Sequence, residues 1–228
     1  MFFPRLSVLL TCVSILIAEL DSAVQAARQF REAHQREIVA SFMELLAIPN
    51  VAVDPVNLRR NAEAIAQMLQ RRGVRTQLLE HAGAPPVVYG ELLQSGATRT
   101  VLFYAHYDGS PVNATEWSTP PFKPVLRSGP IERDGQVIPL PEAGATFDPE
   151  WRIYARSAGD DKAPVIALMT ALDALKAAGH DDWMTHAHWS GGSPANRKLS
   201  SFLAASNIPP GRSFYTGQSV SPVFPING

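Results

Sequence analysis

The sequence predicts an α/β fold, and three observations carry that prediction. Two stretches, 28–46 and 57–71, hold apolar residues at helical spacing; three short apolar runs follow at 74–79, 87–92 and 100–105; and a further strand, a turn of small residues and a third helix begin at Trp151. The first helix rests on Phe30, Ile38, Phe42, Leu45 and Leu46 and is ended by Pro49. The second repeats the pattern in Leu58, Ala62, Ile65, Met68 and Leu69 and stops at Gly73. Gly and Pro turns separate the strands, so helices precede a run of three strands rather than alternating strictly with it. Val101 to Ala105 is a continuous apolar run between polar residues 98–100 and Gly109, the pattern of a strand buried on both faces. Residues 111–149 read as a long proline-rich loop region, either a packed surface excursion or a cover for a site whose cleft Trp117 and Phe122 would wall. The third helix has Pro164 in its first turn and an apolar face of Val165, Leu168, Met169, Leu172 and Leu175.

Composition narrows the class of protein. With 228 residues and a formal net charge of -1, the chain has length for one core and no electrostatic footprint for nucleic acid. Arg59, Arg60, Arg71, Arg72 and Arg75 read as the solvated face and end of a helix rather than a binding patch. There is no internal repeat, heptad run or nucleotide-binding glycine loop. Residues 1–26 read as a signal peptide: Arg5 supplies the positive charge, 6–18 is apolar but short for a bilayer span, and Val24-Gln25-Ala26 offers a small-residue cleavage site before Ala27. The alternative is an uncleaved anchor, while a lipoprotein through Cys12 is opposed by Thr11 and by the apolar run that continues past it. The expectation is a secreted or periplasmic protein of residues 27–228, with no membrane association after cleavage. Cys12 is the only cysteine and would leave with the signal, so no disulfide is expected.

The residues that carry chemistry are His106, Asp108 and Asp160. His106 ends the third strand, and the carboxyl ends of strands in open parallel sheets border the ligand crevice, where a neutral imidazole can offer a lone pair to a metal. Asp108 is placed to accept the other ring N–H, fixing the tautomer and raising ligand basicity. The competing reading is a strand-end histidine bonded to a turn aspartate. Asp160, in Ser157-Ala158-Gly159-Asp160-Asp161-Lys162, would present a carboxylate at the mouth of the same sheet. The competing reading there is helix capping by Asp160 or Asp161.

Together these segments resemble the zinc-dependent metallopeptidase family M-20, which includes aminoacylases, carnosine-type dipeptidases, glutamate carboxypeptidase and succinyl-diaminopimelate desuccinylase. His106-Tyr107-Asp108 looks like that family's H-Y-D, followed by Pro111-Val112 and by Trp117-Ser118-Thr119-Pro120-Pro121-Phe122-Lys123-Pro124, which resembles the W-x-x-x-P-F-x-P of its dipeptidase branch. Ala155-Arg156-Ser157-Ala158-Gly159-Asp160-Asp161-Lys162-Ala163 looks like G-R-G-x-x-D-D-K-G, with Ala155, Ser157 and Ala163 where glycines are usual. The resemblance runs from about Arg28 to Ala178. It implies a mixed, largely parallel sheet sandwiched by helices, a zinc exopeptidase-like catalytic domain that is here incomplete, without the lid or dimerisation domain. It also implies His106 as a zinc ligand, Asp108 as the catalytic group orienting it, and Asp160 as the carboxylate bridging two zinc ions. The substrate implied is a small peptide or N-acyl amino acid.

Beyond Ala178 the pattern departs. The family's glutamate pair, one the general base and the other a metal ligand, precedes a small residue and Gly-Ser; Gly192-Ser193-Pro194 fits that tail and puts Trp189 and Ser190 at the glutamate positions. An indole cannot take a proton from water, and a serine hydroxyl is a poor zinc ligand. His186 and His188 are nearby substitutes that alternate on a strand, with half-exposed strand residues as the other reading. Gly217 stands where the family carries a further aspartate ligand. Two readings are therefore carried: a secreted zinc hydrolase that cuts terminal amide bonds with metal-activated water, or a catalytically inactive truncated derivative that at most binds a metal or peptide. An incomplete sheet would also leave an apolar edge open to self-association.

Overall fold

The computed structural model describes residues 24–93, 102–179 and 186–190. Most of the expected leader lies outside these residues, as do residues 192–194 and Gly217.

The first helical pattern is realised as two pieces. Residues 24–33 are helical, His34 forms a turn, and α1 runs Gln35–Leu46. The expected single helix over 28–46 is thus interrupted. His34 stacks on Phe30 with ring centroids 4.0 Å apart and places Nδ1 2.8 Å from the Phe30 carbonyl, so its ring competes locally for the helix's own acceptor. Helix α2, Pro55–Gln70, starts where Asp54 caps the Asn57 amide at 3.0 Å and Pro55 takes the first position, where its missing N–H costs nothing. Its buried residues Leu58, Ala62, Ile65, Ala66 and Leu69 follow the 3.6-residue period. The expected arginines are engaged in local pairs: Arg59 with Glu80 at 2.6 Å, Arg60 with Asn57 at 2.7 Å and Arg75 with Glu91, while Arg72 joins Asp173 of the third helix at 2.7 Å.

Strands β1 (Arg75–His81) and β2 (Ala84–Glu91) form a hairpin through Gly83, whose φ of +71° suits a residue without Cβ. Strand β3 is Leu102–His106 and β7 is His186–Ser190; the order in the sheet is β1-β2-β7-β3. The sheet is mixed, as expected, but "largely parallel" is corrected among the described residues. The β1/β2 and β2/β7 pairs are antiparallel and only β3/β7 is parallel, because a turn as short as the one between β1 and β2 can only reverse the chain. The expectation that β3 is buried on both faces is also corrected. Tyr104 is 42% exposed, since among the described residues β3 is an edge strand paired only with β7.

The stretch expected as a loop region folds instead into a second sheet. Strands β4 (Val125–Arg127), β5 (Val137–Ile138) and β6 (Arg152–Tyr154) pair antiparallel in the order β5-β4-β6, so the strand at Trp151 belongs to this sheet rather than to the one that ends in His106. A short 3-10 turn at Ala114–Glu116 precedes β4, and another at Ile131–Arg133 lies between β4 and β5. Helix α3, Lys162–Ala177, then returns to the first sheet and packs on α1, α2 and β3. One core joins all three helices to one face of that sheet: Leu45, Leu58, Ile65, Leu69, Val165 and Met169 lie against Val88, Ala105 and Tyr107. Among the described residues these three helices share one core with that sheet. None of the described helices is long and apolar enough to cross a membrane.

Candidate metal centre

His106 is the last residue of β3, held by the core strand on one side and by two loops on the other. Its Nδ1 lies 3.1 Å from the Asp108 carbonyl and 3.2 Å from Asp108 Oδ1. Both are acceptors, so the network assigns the proton to Nδ1, and Asp108 stands within hydrogen-bond reach of the nitrogen it was expected to orient. The other nitrogen, Nε2, faces Asp160 Oδ1 at 2.9 Å and Asp161 Oδ2 at 3.9 Å.

That geometry has an electrostatic consequence. A neutral Nε2 lone pair and a carboxylate oxygen cannot sit 2.9 Å apart without repelling, so something positive must lie between them: a proton or a cation. In the metal-free chain the proton takes that place. The Asp108 hydrogen bond raises the His106 pKa to about 9; burial opposes the rise, and the charges of Asp161, Asp108 and Asp160 add to it. Burial likewise pushes the Asp161 carboxyl up, partly countered by the hydrogen bond it accepts from the His106 backbone N–H at 3.0 Å.

Helix capping does not account for the acidic pair. Asp161 occupies the position just before α3 but its side chain makes no capping bond, being turned to His106 instead. Asp160 is 79% exposed and turns its Oδ1 to the imidazole.

His106, Asp160 and Asp161 each offer a ligating atom, all within 4.8 Å of one another. Two bonds of about 2.0–2.2 Å meet at one ion from donors roughly 3–4.4 Å apart, close to the 2.9 and 3.9 Å that separate His106 Nε2 from Asp160 and Asp161, and one imidazole with carboxylates is a donor set that zinc accepts. The residues present therefore fit one divalent cation. His106 and Asp160 are brought together as the sequence predicted; Asp161 is an addition.

Strand β7 shows what stands beside this pair. Ser190 is the register partner of His106, and Trp189 that of Ala105. The residues aligned with the resemblance's two glutamates thus lie next to the end of the ligand strand, and they are serine and tryptophan. His186 and His188 pair with Leu102 and Tyr104. At about 3.3 Å per residue they stand roughly 13 and 7 Å along the strand from the level of His106.

Sequence reasoning missed three residues that build the site. Asn50 and Lys162 are fully buried, and Ser157 is 4% exposed. The Asn50 amide donates to the Tyr107 carbonyl at 2.7 Å and to Ser157 Oγ at 2.9 Å. Lys162 Nζ donates to the Leu45 and Ile48 carbonyls, both at 2.7 Å, at the end of α1. Burial pulls the Lys162 amine down to about 7. The signal for Lys162 was present, since Lys162, Ile166 and Met169 share the buried face of α3. Asn50 and Ser157 had no periodic signal.

An imidazole and neighbouring carboxylates gathered at the carboxyl end of a sheet strand define the class: an α/β protein with a candidate metal site. Comparison with known proteins agrees. No family model matches the chain. The chain is 30% identical over 169 residues to the Beta-Ala-His dipeptidase of Homo sapiens, a match covering 67% of this chain and 29% of that protein. It is 26% identical over 159 residues to the Cys-Gly metallodipeptidase dug1 of Schizosaccharomyces pombe, covering 64% of this chain and 29% of the relative. Its fold matches an M-20 family metallo-carboxypeptidase of Sulfolobus solfataricus with a TM-score of 0.56 at 23% identity, over 75% of this chain and 34% of that one. The chain is thus a partial match to the M-20 metallopeptidases, and each match spans only about a third of the protein matched.

Proposed function

We propose that this chain is a zinc-dependent hydrolase of the M-20 type, acting on a terminal amide bond of a dipeptide or N-acyl amino acid and exported from the cytoplasm. The observation that carries the reading is the 2.9 Å approach of His106 Nε2 to Asp160 Oδ1 with Nδ1 already committed to Asp108. His106 and Asp160 would hold the ion, with Asp161 beside them. A zinc ion there supplies Lewis-acid polarisation of a carbonyl and of the attacking water. Asp108 keeps the imidazole in the Nδ1–H tautomer and aims Nε2 outward. Asp161 fixes the end of β3 through the His106 amide. Asp160, largely exposed, is the carboxylate of this group most open to a substrate.

A second reading has its own observation. The register partner of His106 is Ser190, whose hydroxyl is a weak ligand, and Trp189 precedes it, and neither of these two side chains can serve as a general base. On this reading the chain binds a metal or a peptide without turnover. Metal analysis of the full chain after zinc loading and dialysis, beside His106→Ala, tests the metal site: retained zinc that is lost in the variant supports it, and none in either refutes it. Hydrolysis of β-Ala-His and Cys-Gly by the zinc-loaded chain, abolished in His106→Ala, separates turnover from binding alone.

A further inference from the structure

We propose that the turn closing α1, Leu45 to Asn50, is a clamp that sets the spacing of the two metal-ligand loops, with Asn50 and Lys162 as its positioning residues. The inference rests on His106 and Asp160 as a metal pair, and deepens that reading.

The two loops come from distant parts of the chain and do not share a sheet. One is Tyr107-Asp108-Gly109, leaving β3; the other runs from Ser157 to Lys162, between the second sheet and α3. The turn after α1 bonds to both. On the first loop, the Asn50 side-chain amide donates to the Tyr107 carbonyl at 2.7 Å, the Gly109 N–H donates to the Asn50 carbonyl at 2.7 Å, and the Ala52 N–H donates to the Gly109 carbonyl at 2.9 Å. On the second, the same Asn50 amide reaches Ser157 Oγ at 2.9 Å, and Lys162 Nζ holds the Leu45 and Ile48 carbonyls at 2.7 Å each.

Neither positioning residue touches a ligand side chain. Asn50 acts on the carbonyl between His106 and Asp108, and Lys162 follows Asp161 directly, so each fixes backbone from which a site group projects. Position matters because metal bonds tolerate only about 0.2 Å of error. The chemistry of the anchors suits the task. The last carbonyls of a helix lack intrahelical donors and carry the negative end of its dipole, so the Lys162 amine adds a donor to the Leu45 carbonyl, which otherwise accepts the Ile48 N–H at 3.3 Å, and ties it to the Ile48 carbonyl just past the helix end. Burying that amine is costly unless it reaches those carbonyls, which makes the position of Lys162, and of the acidic pair before it, an all-or-none matter.

The test uses the full chain with Lys162→Met, which keeps length and packing but removes the donors, and Asn50→Asp, which keeps shape but cannot donate to the Tyr107 carbonyl. Two readouts are taken: hydrogen exchange of the His106 amide by NMR without metal, and Co2+ binding followed by its visible absorption. The His106 amide, bonded to Asp161, is expected to exchange at least about tenfold faster in both variants while the Ile65 amide of α2 keeps its protection. Co2+ affinity is expected to fall about 10- to 100-fold with a changed ligand-field spectrum, as when other supporting groups behind metal ligands are removed. Unchanged His106 exchange and unchanged Co2+ binding in folded variants would overturn the clamp. If the wild-type chain binds no Co2+ but the exchange responds as expected, the clamp stands and the metal reading fails. Should both variants fail to fold, Ser157→Gly removes the short side chain whose hydroxyl Asn50 grips, at a φ of +63° that glycine accepts. Its Co2+ affinity and His106 exchange then decide in the same way.

Discussion

Replacing Gly109 by alanine puts a methyl group into the most crowded point beneath the site. A Cβ at Gly109 would lie 2.6 Å from Ser157 Oγ and 3.1 and 3.2 Å from the two amide atoms of Asn50. The first distance is far inside van der Waals contact, and the obstacle cannot swing away freely. Ser157 Oγ is tied to Asn50, which is fully buried and tied in turn to Tyr107. Relief therefore means breaking the Asn50–Ser157 hydrogen bond, about 1–3 kcal/mol for a buried group left unpaired, together with an overpacking cost of about 1–3 kcal/mol. Gly109→Ala should lower the unfolding free energy by roughly 2–6 kcal/mol, read by urea denaturation of the full chain. The origin of that cost is checked by the cycle with Ser157→Gly. The second change deletes the clashing oxygen and relaxes a positive φ, so it should restore at least about 1 kcal/mol to the Gly109→Ala chain. A Gly109→Ala chain of wild-type stability, or a double variant whose losses simply add, would refute the reasoning.

Three further outcomes follow from the same contacts. Because the His106 pKa is raised from 6.5 to about 9, its charged form stabilises the metal-free chain fully below about pH 6.5 and that contribution disappears as pH rises through 9; a metal must displace this proton. Zn2+ affinity measured against a competing chelator should therefore climb by up to about tenfold per pH unit between 7 and 9, with about one proton released per ion by calorimetry in different buffers; a flat profile would contradict it. Asp108→Asn can present its amide NH2 to Nδ1 and so favour the wrong tautomer, and should weaken Zn2+ binding by about 10- to 100-fold; because it also removes the largest cause of the raised His106 pKa, the metal-free chain should melt lower below about pH 9. Ile65→Ala, at a fully buried position of α2, should cost about 2–5 kcal/mol in urea unfolding, and a loss below about 1 kcal/mol would mean that the helix layer is not packed as described.

Much of the site was legible because short-range rules set it. An apolar run followed by His106-Tyr107-Asp108 announced a histidine at a strand end with an acceptor two residues on, and the spacing alone lets that carboxylate reach Nδ1. The acidic pair before an amphipathic helix was equally visible, although its competing reading as a cap was removed only when Asp161 proved to face His106 rather than the helix amides. The second sheet was not legible. Its strands β4, β5 and β6 are two or three residues long, too short for alternation to rise above the prolines around them.

The sequence by itself determined the three helices and which side chains the candidate site can use: the 3.6-residue periods of α1, α2 and α3, the apolar strand ending in His106, and serine and tryptophan at 190 and 189. These depend on neighbours within a few residues, or on which side chain is present at all. Only the tertiary structure decided what brings them together. That Asn50 spans two loops, that Lys162 is buried on the end of α1, and that Ser190 lies beside His106 depend on contacts between residues 57 to 117 apart in one case and on strand register in the other. The physical reason is that local patterns fix backbone conformation through sterics and hydrogen bonds over a few residues. The partner of a buried polar group is instead chosen by the packing of the whole core, which must leave it one acceptor within reach.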